Sequence, residues 1–204
     1  SNKQHRKITS SGARGHNVVM NTWLISDTHF LQEAILDFID SSTKELLRPG
    51  FDSIEHHDEY IIEMWNSVIA PNDTVYHLGD VCYIPEQHNY PQIHNRLNGT
   101  KHLVVGNHDD NRYHANLDWV SVNMWVELHE ENILLTHTPQ DEFALLRGKP
   151  GASFRDWQPS YRLNVHGHIH QNPEPTHRHR CVCMEHTEYK PVNLDTYIKD
   201  PYHV

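Results

Sequence analysis

Cysteine is scarce: Cys82, Cys181 and Cys183 are the only three in 204 residues. Three thiols do not make a disulfide framework in a chain this long, which points to a reducing compartment, read here as cytoplasmic. Long apolar runs are lacking too. None approaches the ~20 residues of a membrane span, and none resembles the apolar region of a signal peptide, so neither a membrane protein nor a leader-bearing chain is expected. Positive charge is in short supply, with 17 Lys and Arg against 27 Asp and Glu and a net charge of −10 with histidine neutral. That surplus of acid argues against the long phosphate-gripping surface of a non-specific nucleic-acid binder. Hydrophobic residues make up only 37%, yet nine Tyr and five Trp exclude disorder. The length suits one domain with its own core.

Histidine is what the chain has in excess, with 20 copies, about one residue in ten. Imidazoles bind metals, move protons or sit on surfaces, and abundance alone does not say which. Charge is unevenly spread. Residues 1–19 carry Lys3, Arg6, Lys7 and Arg14 with no acid, so the remaining 185 residues carry −14. The stretch 1–19 reads as a basic tail or appended expression remnant, and 20–204 as a single domain.

Apolar patterning predicts an alternating chain. Thr22–Ser26 reads as a strand, 31–39 and 55–69 as helices, Thr74–Leu78 as a strand, 86–97 as a weaker helix and Lys101–Val105 as a strand. Two β-rich runs follow, Trp119–Leu128 and Asn132–Thr136. Segment 138–160 has no clear periodicity, Tyr161–Val165 and Arg180–Met184 read as strands, and 193–199 closes with a short helix. The fold class is α/β, with a mixed sheet or two sheets.

Five of these strands run into the same kinds of residue. The first ends in Ser26-Asp27-Thr28-His29, the second in Gly79-Asp80 and the third in Gly106-Asn107-His108-Asp109. Later strands end in Thr136-His137 and in His166-Gly167-His168-Ile169-His170. Sites in open α/β sheets form beyond the carboxyl ends of strands, so these groups can converge. Two carboxylates, one amide oxygen and several imidazoles exceed the needs of one ion and suit two ions that share a carboxylate. Gly-Asn-His-Asp is the specific element, since composition predicts roughly 0.005 chance copies.

In that order, Asp27-x-His29, Gly79-Asp80, Gly106-Asn107-His108-Asp109, His137 and Gly167-His168-x-His170 resemble the calcineurin-like metallophosphoesterase superfamily, in particular its small stand-alone bacterial and phage-type members. The resemblance covers nearly the whole chain from Met20 onward. It implies a four-layer α/β/β/α sandwich around two mixed sheets. It implies two divalent metal ions, drawn from Mn, Fe, Ni, Co or Zn with Mn favoured. Asp27, His29 and His170 match ligands of the first, Asn107, His137 and His168 ligands of the second, and Asp80 the bridge. A metal-bridging hydroxide would attack phosphorus, with His108 as general acid and Asp109 orienting its ring. The implied activity is phosphoester hydrolysis, with small or nucleotide-like phosphodiesters favoured. The alternatives are a phosphomonoesterase on small molecules and a non-catalytic protein-binding scaffold. Asp80 is followed by Val-Cys-Tyr and the tetrad ends in Asp109, which departs from the protein Ser/Thr phosphatases.

Other residues have plainer expectations. His77 reads as a hydrogen-bonded core group, and His166 shares the strand face of His168 and stands behind the ligands. Cys181 and Cys183 read as small core residues, Cys82 is assigned no role, and His56, His57, His177 and His179 read as surface. Arg147, Arg155 and Trp157 in the 138–160 segment are candidates for gripping phosphate and stacking on a ring.

Overall fold

The computed structural model describes residues 20–147, 158–159 and 161–199, with side chains omitted for 146–147 and 158–159. The 1–19 tail, Arg155, Trp157 and the side chain of Arg147 lie outside the described residues.

Two sheets form the centre, and both are mixed. In the first, β1 (Thr22–Ile25), β2 (Thr74–His77), β3 (Thr100–Val104) and β4 (Ser121–Asn123) run parallel, and β11 (Val192–Asn193) pairs antiparallel with β1, giving the order β11-β1-β2-β3-β4. In the second, β5 (Trp125–Leu128) pairs antiparallel with β6 (Ile133–Thr136). Strands β9 (Leu163–His166) and β10 (His179–Cys181) continue it in parallel, in the order β10-β9-β6-β5. A two-stranded ribbon joins β7 (Leu146–Arg147) to β8 (Gln158–Pro159).

Parallel strands covered on both faces carry apolar residues at consecutive positions, and β1 does so. Ile25 points with Val75 and Leu103 toward Ile61, Ile62 and Trp65 of helix α1 (Ile54–Val68). Its neighbour Leu24 points with Leu78 and Val104 the other way, against Ile133, Leu135 and Val165 of the second sheet. Helix α1 starts where Ser53 Oγ accepts from the His56 N–H at 3.1 Å. It stops at Ile69, which is extended, just ahead of Pro71. On the outer face of the second sheet, Leu134 is covered by Leu145 and Tyr161. Among the described residues no helix is long and apolar enough to cross a membrane.

The elements follow the predicted order, with differences that have physical causes. The run 119–128 breaks at Met124, so that Ser121–Asn123 belongs to one sheet and Trp125–Leu128 to the other. The 31–39 helix is a 3-10 turn at Glu33–Asp37, and 86–97 splits into a 3-10 turn, Ile84–Asn89, and a short helix α2, Tyr90–His94. Two small helices close the inventory, α3 (Asn111–His114), missed by periodicity because it is one turn long, and α4 (Leu194–Tyr197).

Candidate metal centre

The strand ends converge as their order suggested, and the backbone bends hard to make them do so. Asp27, His29, Asp80, His168 and His170 all have positive φ, between 48° and 73°. Non-glycine residues there are strained, and such strain persists only where neighbours over-determine it. Here the two loops brace each other: the Asp27 N–H donates to Gly79 O at 2.9 Å and the His29 N–H to Asp80 O at 3.0 Å. Close approach also demands glycine. A Cβ on Gly106 would lie 2.2 Å from Asp80 Oδ1, and one on Gly167 2.0 Å from Ser26 Oγ and 2.3 Å from Asp27 Oδ2.

Two groups of ligand atoms result. Asp27, His29 and His170 bring one atom each to within 4.8 Å of one another, and Asp80, His137 and His168 do the same. Asn107 joins the second group, its Oδ1 standing 2.9 Å from His137 Nε2. In the first group Asp27 Oδ1 lies 3.7 Å from His29 Nε2 and 3.9 Å from His170 Nε2. Asp27 Oδ1 and His29 Nε2 are buried and have no hydrogen-bond partner among the described residues. Buried polar atoms are rarely orphaned, and these face a common point, which is what a divalent cation with nitrogen and oxygen ligands requires.

The ring orientations agree. Nδ1–H of His29 donates to Gln32 Oε1 at 2.8 Å, Nδ1–H of His137 to Leu78 O at 2.7 Å, and Nδ1–H of His170 to Glu185 Oε1 at 3.0 Å. Each bond fixes the tautomer and turns Nε2 toward the carboxylates, as ligating histidines need. Burial works against charge on His137, but Asp80, Asp27 and the Leu78 carbonyl outweigh it and push the free imidazole up to about 9. Burial raises Asp27 as well, yet His29, His137 and His170 hold it well below the usual carboxylate range.

Behind these groups lies a support that the sequence reading missed. Arg48 is 1% exposed. It donates through Nη2 to Asp27 O at 2.6 Å, through Nη1 to Thr28 O at 3.1 Å, and through Nε to Glu185 Oε1 at 2.9 Å. Its Nη1 also donates to His57 Nε2 at 2.9 Å, and His57 Nδ1–H donates to Asp58 Oδ1 at 2.8 Å. His57 is therefore buried, correcting its reading as surface, and His179 is buried likewise, with Nε2 2.8 Å from Gln140 O. His56 and His177 are exposed as expected. Gln32 carried a signal, lying three residues beyond His29. Arg48 and Glu185 carried none.

Asp109 is the other correction. It does not orient His108: Oδ2 accepts from the N–H groups of Asp80 at 2.9 Å and Gly106 at 2.8 Å, while Oδ1 accepts from Val81 at 2.8 Å and lies 3.4 Å from His114 Nε2. The carboxylate is consumed in tying the second strand end to the third. His108 itself is exposed beside the centre. Its N–H donates to Asp80 Oδ1 at 2.9 Å, and its ring stands 5.9 Å from that of His29, edge-on.

His77 is a core group as read. Its Nδ1 accepts from the Gly79 N–H at 3.1 Å, leaving Nε2–H to donate to Thr28 Oγ1 at 2.9 Å. His166 is buried against His179 with Nδ1 on Gly167 O, and burial pushes it down to about 4. All three cysteines are buried and free, and the Cys183 thiol donates to Asp27 Oδ2 at 3.2 Å.

Known proteins resemble this chain. A solved structure of a protein of unknown function from Aquifex aeolicus matches with a TM-score of 0.62, covering 89% of this chain and 99% of its own, at 26% identity. An uncharacterised protein of Methanocaldococcus jannaschii is 28% identical over 185 residues, 87% of this chain and 89% of its own length. The Gene 66 protein of Mycobacterium phage L5 is 33% identical over 92 residues, 44% of this chain and 40% of its own. A family model, the calcineurin-like phosphoesterase superfamily domain, matches residues 20–193. That span holds both ligand groups, Arg48 and Glu185, and the chain belongs to the calcineurin-like phosphoesterase superfamily.

Proposed function

We propose that the protein is a binuclear metal-dependent phosphoester hydrolase that prefers small or nucleotide-like phosphodiesters. The observation that carries this reading is the position of Asp80. Its Oδ2 lies 3.8 Å from His29 Nε2 in the first group and 3.4 Å from His137 Nε2 in the second, so one carboxylate oxygen faces both. Asp27, His29 and His170 would hold one cation and Asn107, His137 and His168 the other, with Asp80 between. Bound there, two dications would offset phosphate charge and lower the pKa of a water nucleophile. The donors suit Mn, Fe, Ni, Co or Zn, and manganese is the first to try.

The chain's own residues do the rest. Gln32, Leu78 O and Glu185 hold three imidazoles with Nε2 forward. The backbone bond to Asp80 holds His108 beside the centre, where its exposed ring can give a proton to the leaving oxygen. An alkoxide leaves poorly, and a general acid contributes roughly 10²–10⁴-fold.

The test is hydrolysis of bis-p-nitrophenyl phosphate, p-nitrophenyl phosphate and 2′,3′-cyclic nucleotides with added Mn²⁺, beside an Asp80→Ala variant. Metal-stimulated turnover of the diesters, falling to background in the variant, is expected. No metal-stimulated turnover on any of them overturns the reading, and turnover of the monoester alone overturns its diester half.

A further inference from the structure

A cavity of about 610 Å³ opens from the Asn107 and His137 side of the centre and runs along the outer face of the second sheet. Its size is that of a small-molecule site, about 300–1,000 Å³. The strand register explains what lines it. Trp125 pairs with Thr136 and Glu127 with Leu134, while Val126 and Leu128 turn inward to the inter-sheet core. Trp125 therefore stands on the outer face, opposite the residue that precedes His137, where cross-strand neighbours lie about 5 Å apart at Cβ. Leu134 and Tyr161 continue the surface, and Met124 lies at its edge.

Two features of this cavity call for a ligand. Trp125 is 57% exposed and Met124 61%, a large apolar surface left beside a polar centre. Among the described residues that line the cavity there is no lysine or arginine, and the one carboxylate is Glu127. The apolar wall of Trp125 and Met124 suits an uncharged planar ring, which stacks on indole whatever its pattern of hydrogen-bonding groups.

We propose that this cavity is a subsite for the nucleobase of a phosphoester substrate, with Trp125 as the stacking platform. The subsite deepens the phosphoesterase reading and rests on it for the position of the phosphate.

The experiment compares two cyclic phosphodiesters with the same five-membered scissile ring, adenosine 2′,3′-cyclic phosphate and glycerol 1,2-cyclic phosphate, in the Mn²⁺-loaded protein. The ratio of their kcat/KM values is expected to fall about tenfold or more in Trp125→Ala and to stay within about threefold in Trp125→Phe. An unchanged ratio in Trp125→Ala overturns the subsite. A separate arm needs no turnover. Adenosine, which carries no phosphate, is titrated into the chelated protein while the indole N–H resonances are followed. The resonance that disappears in Trp125→Phe is expected to move, and its failure to move overturns the subsite. If neither ester is hydrolysed by the wild type, the phosphoesterase reading fails, and the adenosine arm still decides the subsite.

Discussion

The carboxylate of Glu185 accepts from Nδ1–H of His170 at 3.0 Å, and the same oxygen accepts from Arg48 Nε at 2.9 Å. Burial pushes the Glu185 carboxyl up, but Arg48 and His170 outweigh it and hold it down at about 2, so it is ionised throughout the working range. It orients His170 and offsets a buried guanidinium that itself grips the backbone of Asp27 and Thr28. Glu185→Gln keeps the shape and loses the charge. Cation affinity measured by calorimetry is expected to fall roughly 10–100-fold. Affinity within twofold of wild type would show that His170 needs no such partner.

Asp109 separates two roles that the sequence could not distinguish. As the tie between Asp80, Val81 and Gly106, it satisfies three backbone N–H groups with two oxygens. Asp109→Asn replaces one acceptor by a donor and leaves at least one of them unpaired, at about 1–3 kcal/mol. Urea unfolding should show that loss in metal-free protein. Unchanged stability with a shifted pH–rate profile would instead return Asp109 to the role of orienting His108.

His108→Ala tests the proton donor. The loss should be about 10²–10⁴-fold on alkyl diesters and far smaller on nitrophenyl esters, whose leaving group needs little protonation. Equal losses on both would place His108 in substrate binding or structure.

His77 predicts a pH dependence of stability. Burial pushes it down to about 4, against the opposing charges of Asp109 and Asp27, while the unfolded chain titrates near 6.5. The folded state then binds fewer protons between these values. The contribution of His77 is full above about pH 6.5 and declines as pH falls toward 4, with a slope of about 1.4 kcal/mol per unit. His94, pushed down to about 4 by burial and by Lys101, adds in the same sense. Urea unfolding of chelated protein at several pH values should show the slope, and His77→Gln should flatten it by one group's worth. An unaltered slope would assign the acid sensitivity elsewhere.

What the sequence revealed follows from how local each signal was. Asp27, His29, Asp80, His137 and His170 each lie just beyond a strand, and parallel strands deliver their ends to one edge, so order and residue type sufficed. Glu185 was invisible because its partner Arg48 is 137 residues away, in a stretch with no periodicity. Asp109 misled because the direction of a carboxylate depends on which loop packs against it. The run 119–128 looked like one strand because both halves are apolar, and only the exposed Met124 marks where the chain leaves one sheet for the other.

Each ligand group draws on both sheets. Asp27 and His29 follow β1 while His170 follows β9, and Asp80 follows β2 while His137 and His168 follow β6 and β9. A cation held by either group would act as a cross-link over the layer where Leu24 and Leu78 meet Ile133 and Val165. Its binding free energy would count toward folding, because the unfolded chain cannot present the same set. A substitution deep in that layer would then weaken metal uptake without touching a ligand, and scarcity of metal would loosen the sheets. A cell short of the cation would hold a form of the protein that proteases remove sooner, so supply of the metal would govern how long the protein lasts as well as what it does.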